Sequence, residues 1–156
     1  MLTTHTGDLL NYLAQIYVCP VNCVGVMGKG LALDFAQLYP QLLTQYREDC
    51  TNHLLLPGSI TLYNLQNRYD QPTTIIAAAT KDHWRDPSQY PWVEKCLHNI
   101  RHYLLTLSHP KNHPNPTVAI PYLGCGNGGL SKTKIYNLTI AALSDLLTPV
   151  VLIDLY

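Results

Sequence analysis

Residue types able to do chemistry gather in three stretches of this 156-residue chain. One is Gly124-Cys-Gly-Asn-Gly-Gly-Leu130, which holds four of the nine glycines. It follows an apolar run, Val118 to Ile120, broken at Pro121, and precedes a helix-like segment from about Lys132. Glycine permits φ > 0 and lets backbone N–H groups close on a ligand with no Cβ in the way. Such a loop between a strand and a helix makes a nest for phosphate. The second stretch is Asn22-Cys-Val-Gly-Val-Met-Gly-Lys-Gly30, where a helix beginning near Leu31 aims its N-terminal dipole at an anion. The third is Thr80-Lys81-Asp82-His83-Trp84-Arg85. A lysine there is either a snorkelling surface residue or, given a lowered pKa or a nearby oxyanion, a reactive one. Trp84 either shields a sugar or base or packs over the loop. Asn22, at a strand end, is either a turn-former or a substrate ligand.

Two nucleotide readings are excluded. Gly124-x-Gly126-x-x-Gly129 fits the dinucleotide-binding pattern, but that pattern belongs after a first strand, with an acidic residue about 20 positions on and several strands to follow. Here only one helix and one strand remain. Gly28-Lys29-Gly30 resembles the tail of a P-loop, yet Cys23 stands where the first glycine belongs and Gly30 where Ser or Thr should hold magnesium. Two glycine loops without Walker chemistry suggest a diphosphate gripped from both sides.

The elements that must position these stretches alternate along the chain. Leu2 to Asp8 reads as an edge strand, and Asp8 caps a short helix through Leu9, Leu10 and Leu13. Ile16 to Val21 is a strand rich in β-branched residues. Leu31, Phe35 and Leu38 share a helical face, Pro40 interrupts it, and Gln41 to Asp49 continues as a further helix. After the Pro57-Gly58 turn, Ser59 to Leu65 and Thr73 to Thr80 are strands, the second apolar enough for burial on both faces. Val93, Leu97, Ile100, Leu104 and Leu107 mark a long amphipathic helix with Pro91 in its first turn. Ser108 to Pro116 is a linker, with His109 and His113 in solvated loop. Ile135, Leu138, Ala142 and Leu146 stripe the last helix, and Val150 to Leu155 closes the chain as a strand. The class is α/β, a mixed sheet between helices, with the ligand beyond the carboxyl ends of the strands. Asn22, Lys81 and Gly124 all fall just after strands.

Composition agrees with one globular domain over residues 1–156: 47% apolar, 13% charged, net formal charge zero. No apolar run approaches the ~20 residues needed to span a bilayer, and the N-terminus lacks the basic start and apolar core of a secretion signal. A cytoplasmic monomer with no membrane association is expected. Five scattered cysteines, Cys19, Cys23, Cys50, Cys96 and Cys125, offer no zinc-type pairing and read as reduced, packed thiols. Neither a metal nor a cofactor is expected. Zero net charge argues against long-range capture of nucleic acid, though not against recognition of one modified nucleotide.

Together the motifs resemble the macrodomain family, the ADP-ribose-binding α/β/α fold. They are most similar to its branch of DarG-type DNA ADP-ribosyl glycohydrolases and the terminal ADP-ribose glycohydrolase. The resemblance rests on Gly7-Asp-Leu-Leu10, Val21 to Leu33, Pro57-Gly58, Ala79 to Arg85 with Ser88, and Ile120 to Leu130, in the family's order and spacing. It implies a three-layer α/β/α fold with Asp8 and Leu9 near an adenine. Gly28, Lys29, Gly30 and Leu31 would face Gly124, Cys125, Gly126, Asn127, Gly128, Gly129 and Leu130 across the diphosphate. Asn22 would face the distal ribose, with Thr80 and Trp84 as further ADP-ribose contacts and Lys81 as the catalytic lysine acting at that ribose's anomeric carbon.

Two departures stand out. An aspartate of the terminal glycohydrolase aligns with Gly128, and Ser131-Lys132 replace the Asp-Trp that usually follows Gly-Gly-Leu in DarG-type chains. No second, toxin-binding domain is expected. The resemblance implies release of ADP-ribose from modified DNA bases. The alternatives are hydrolysis of protein-carboxylate ADP-ribosyl esters or O-acetyl-ADP-ribose, and a non-catalytic reader of ADP-ribose.

Overall fold

Near-continuous apolar strands need cover on both faces, and the fold supplies it with four helices. The computed structural model describes residues 1–107 and 111–155. Its strands are β1 (Leu2–Thr6), β2 (Ile16–Val21), β3 (Ile60–Gln66), β4 (Pro72–Ala79), β5 (Val118–Pro121) and β6 (Val150–Asp154). They form one sheet in the order β1-β6-β5-β2-β4-β3. Every pairing is parallel except that of β3 with β4. β1, expected at an edge, lies at one.

Strand residues alternate between the two faces. Tyr17, Cys19, Val21, Ile75, Ala77 and Ala79 pack with Phe35 of α1 (Gly30–Leu38) and with Leu42 and Tyr46 of α2 (Pro40–Thr51). Ile16, Val18, Ile76, Ala78, Val118 and Ile120 pack on the opposite side with α3 (Tyr90–Thr106) and α4 (Lys132–Leu143). The expected three-layer α/β/α arrangement with a mixed sheet is therefore the one adopted. The break at Pro40 takes an economical form: Tyr39 closes α1 and caps α2, with Pro40 in the first turn, where its missing N–H removes no helical bond.

Two local expectations need correction. The segment after Asp8 is a single 3₁₀ turn, Leu9–Asn11, closed by an extended Tyr12, so Leu13 is outside it and 82% exposed. In α4 the buried positions are Ile135, Thr139 and Leu143. Thr139 fits there because its hydroxyl donates to Ile135 O at 2.8 Å, whereas Leu138 and Ala142 are half-buried and Leu146 lies beyond the helix end. The linker around Ser108 falls partly outside the described residues, His109 included, while His113 is exposed. Among the described residues no helix is long and apolar enough to cross a membrane.

Candidate functional site

β5, β2 and β4 are neighbours and run parallel, so their carboxyl ends open at one edge of the sheet. Val21 is level with Ala79, which starts the Asn22 loop and the Thr80-Lys81 segment side by side. The ladder continues past the sheet: Thr80 N–H donates to Val21 O at 3.2 Å and Cys23 N–H donates to Asp82 O at 2.8 Å. The first glycine loop and the lysine segment are thereby joined.

Asn22 is 6% exposed and acts as the spool of its loop. Its Nδ2 donates to Val26 O at 2.8 Å, and its Oδ1 accepts from Val24 N–H at 3.0 Å. The hydroxyl of Tyr46, fully buried on α2, lies 2.7 Å from Asn22 O and 2.8 Å from Asn22 Oδ1. Burial pushes the phenol's pKa up, so it stays a donor. Arg47 adds a bond from Nε to Gly25 O at 3.4 Å. The side chain of Asn22 thus shows the turn-forming geometry that sequence left open beside the substrate role. Neither Tyr46 nor Arg47 was singled out in the sequence, where Gln41 to Asp49 reads only as a further helix.

The loop delivers Met27 to Gly30 to the start of α1. Its cap residue, Lys29, is extended and offers no side-chain hydrogen bond, so no cap side chain occupies the first N–H groups of the helix. Facing them is the last loop. A Cβ on Gly30, whose φ is +60°, would lie 3.0 Å from Asn127 Nδ2. The two loops therefore lie against each other at Gly30 and Asn127.

The last loop has two sides. Leu130 N–H closes back on Gly124 O at 3.0 Å, and Gly129 N–H on Gly126 O at 3.2 Å. Gly126, Asn127 and Gly129 are exposed, whereas Gly124, Cys125 and Gly128 are buried. Gly128 sits against Ser88, whose N–H donates to Gly128 O at 3.0 Å and whose Oγ donates to the buried Thr80 Oγ1 at 3.3 Å. A Cβ at Gly128 would stand 2.3 Å from Gly124 O and 2.4 Å from Ser88 Oγ. No side chain fits there, which accounts for glycine where a related branch has aspartate.

Lys81 enters from β4. Its Nζ donates to Asn127 O at 3.3 Å, so the amine lies between the lysine segment and the last glycine loop instead of facing away. Partial burial lowers its pKa, and the carboxylate of Asp86 opposes that shift. Trp84 lies at the rim, 45% exposed. Asp8 uses both carboxylate oxygens to cap the 3₁₀ turn, accepting from Leu10 N–H at 3.0 Å and Asn11 Nδ2 at 2.9 Å. Leu9 corrects an expectation: it is wholly enclosed in the core and has no surface to offer an adenine. Cys125 and Thr80 are likewise supports, 8% and 2% exposed. All five cysteines are unpaired. Burial pushes the Cys96 thiol up to about 12; the same cause, with Asp82 nearby, does so for half-buried Cys23, so neither is an activated nucleophile.

Two surface hollows lie apart from the glycine loops. One of about 410 Å³ is lined by Tyr39, Gln66 and Asp70 among others; the second, of about 440 Å³, lies between Ile60 and Tyr103. Neither is lined by a glycine loop or by Lys81.

The Macro domain family profile matches residues 18–138, most of the chain, from within β2 into α4. The chain belongs to the macro domain family. Among curated relatives, the Mycobacterium tuberculosis protein named DNA ADP-ribosyl glycohydrolase is 35% identical over 146 residues, which are 94% of this chain and 40% of that protein. The chain thus spans about two-fifths of that relative's length. The solved macrodomain of Mycobacterium tuberculosis DarG superposes with a TM-score of 0.89 at 34% identity, covering 100% of this macrodomain and 99% of that chain. Thermosipho africanus DarTG in complex with ADP-ribose gives 0.85 at 29% identity, over 97% of this chain and 41% of that one.

Proposed function

We propose that this macrodomain holds ADP-ribose between its two glycine loops and hydrolyses the bond joining that ADP-ribose to a base in DNA. The observation that carries the reading is the Lys81 amine, 3.3 Å from Asn127 O of the last glycine loop. Similarity to proteins named DNA ADP-ribosyl glycohydrolase over 94% of the chain supports the substrate class. N–H groups at the start of α1 that no cap side chain occupies and the glycine loop opposite suit a diphosphate. Breaking a bond at the anomeric carbon develops oxocarbenium character. An amine at that position is suited to contact that carbon or, in its deprotonated form, to form a Schiff base once the sugar ring opens.

The test is release of ADP-ribose from an ADP-ribosylated oligonucleotide. Wild-type protein is expected to release it, and Lys81→Ala to lose release while keeping ADP-ribose affinity by calorimetry. No release by wild-type protein refutes the reading. A second reading is binding without turnover: position 128, aligned with the terminal glycohydrolase's aspartate, has no room for a side chain. Tight ADP-ribose binding with no hydrolysis of DNA-base, protein-ester or O-acetyl linkages would establish it.

A further inference from the structure

The zero net charge leaves a problem for any nucleic-acid substrate. Affinity for a strand normally comes from a surplus of Lys and Arg on phosphates, and this chain has none. A strand must then be held locally, and stacking is the interaction that needs no charge surplus. Among the described residues the exposed large aromatics are Tyr69, Trp84 and Tyr136. Tyr69 lies in the β3–β4 turn and Tyr136 on the flank of α4. Trp84 alone belongs to the loops at the carboxyl edge, three residues beyond Lys81.

The ring is presented by a defined turn. Asp86 N–H donates to His83 O at 3.0 Å, and Arg85 N–H donates to His83 Nδ1 at 3.1 Å. The Arg85 guanidinium carbon lies 4.6 Å from the centre of the Trp84 ring, and the His83 ring lies 5.3 Å away, tilted by 31°. An indole that is 45% exposed yet flanked by a cation and an imidazole is a preorganised surface. The core does not use it: Trp84 packs in neither hydrophobic cluster. Aromatic faces of this kind accept any base whose own face is free, with arginine adding cation–π and phosphate contacts.

We propose that Trp84 and Arg85 form a nucleobase ledge: the indole stacks on an unpaired base beside the ADP-ribosylated nucleotide, and Arg85 meets a phosphate of the same strand. The ledge makes single-stranded nucleic acid the preferred carrier of the mark, over a modified nucleoside or a modified peptide. It rests on the reading that the clamp holds ADP-ribose attached to DNA.

The experiment compares three substrates carrying the same ADP-ribose: a short single-stranded oligonucleotide, the isolated nucleoside, and a glutamate-modified peptide. For Trp84→Ala the ratio of kcat/KM on oligonucleotide to that on nucleoside is expected to fall about five- to hundredfold, the range spanned by base–aromatic stacking. The loss should appear in KM, and Trp84→Phe should restore most of the ratio. Arg85→Gln should reduce the salt slope of oligonucleotide binding by about 0.7, the value for one phosphate contact on a single strand. An unchanged ratio overturns the proposal. So does an equal loss on the peptide, which would make the ledge a general substrate rim. If wild-type protein hydrolyses none of the three, the function proposed above fails. The ledge is then judged by intrinsic fluorescence: quenching by the oligonucleotide but not the nucleoside, abolished in Trp84→Phe, sustains it, and its absence overturns it.

Discussion

Replacing Tyr46 with phenylalanine removes one buried hydroxyl and almost no volume, so its effect reports on the bonds that hydroxyl makes. They run to Asn22 O at 2.7 Å and Asn22 Oδ1 at 2.8 Å, with one proton serving both. The side-chain oxygen keeps its bond from Val24 N–H; the main-chain oxygen loses its donor in a buried site. Leaving a buried acceptor unsatisfied costs about 1–3 kcal/mol. The loop can relieve part of that by opening toward water, which depopulates the arrangement that presents Gly28 to Leu31. If the closed arrangement in the variant comes to lie about 1.4 kcal/mol above the opened one, ADP-ribose affinity falls about tenfold, because apparent affinity scales with the competent fraction. Calorimetric titration of ADP-ribose and urea unfolding on the same variant supply both quantities. Tyr63→Phe is the control: its hydroxyl donates to Asp49 at 2.7 Å on the same face of the sheet but touches no loop, so stability should fall with affinity unchanged. Equal ADP-ribose affinity in Tyr46→Phe and Tyr63→Phe, at comparable losses of stability, refutes the reasoning.

Other substitutions probe the remaining parts of the site. Gly128→Ala forces a Cβ against Gly124 O and Ser88 Oγ, an overpacking expected to cost about 1–3 kcal/mol; Gly126→Ala, with nothing within 4 Å of its Cβ, should change stability by less than about 0.5 kcal/mol. Urea midpoints distinguish the two. Burial lowers the Lys81 pKa and Asp86 raises it, so an amine acting in its neutral form gives turnover that climbs with pH and levels off above that pKa. Asp86→Asn removes the raising contribution and should move the climb to lower pH; a shift to higher pH contradicts the neutral-amine role. Arg101, which forms an ion pair with exposed Asp145 and donates to Ala142 O at 2.8 Å, joins α3 to the end of α4. Arg101→Ala should cost stability without altering turnover at a temperature where both proteins are folded.

The sheet and its helices were legible because their signals are local. Apolar runs of strand length, helical stripes and proline breaks each report on a few neighbouring residues, and the two glycine loops announce themselves by composition. What escaped is set by contacts between distant segments. Tyr46 reads as one more apolar position on α2, and nothing local shows its hydroxyl reaching Asn22, 24 residues away in sequence. Leu9 sits in a motif suited to ligand contact, but whether a residue beside a cap faces inward depends on the core beneath it. The α4 stripe failed because Thr139 spends its polarity on its own helix and can be buried, an option that hydropathy alone does not reveal.

The join between β2 and β4 beyond the sheet bears on how variants of this site must be measured. Lys81 is tied on one side to the first loop through the Cys23–Asp82 main-chain bond and on the other to the last loop through Asn127 O. The lysine segment is thus bonded to both loops of the proposed grip, and a change in either loop is felt at the lysine. Free energies from paired substitutions across the cleft will therefore fail to add. A screen that scores binding alone and one that scores turnover alone will rank the same loop substitutions differently, and only double-mutant cycles run on both quantities will separate holding the ligand from acting on it.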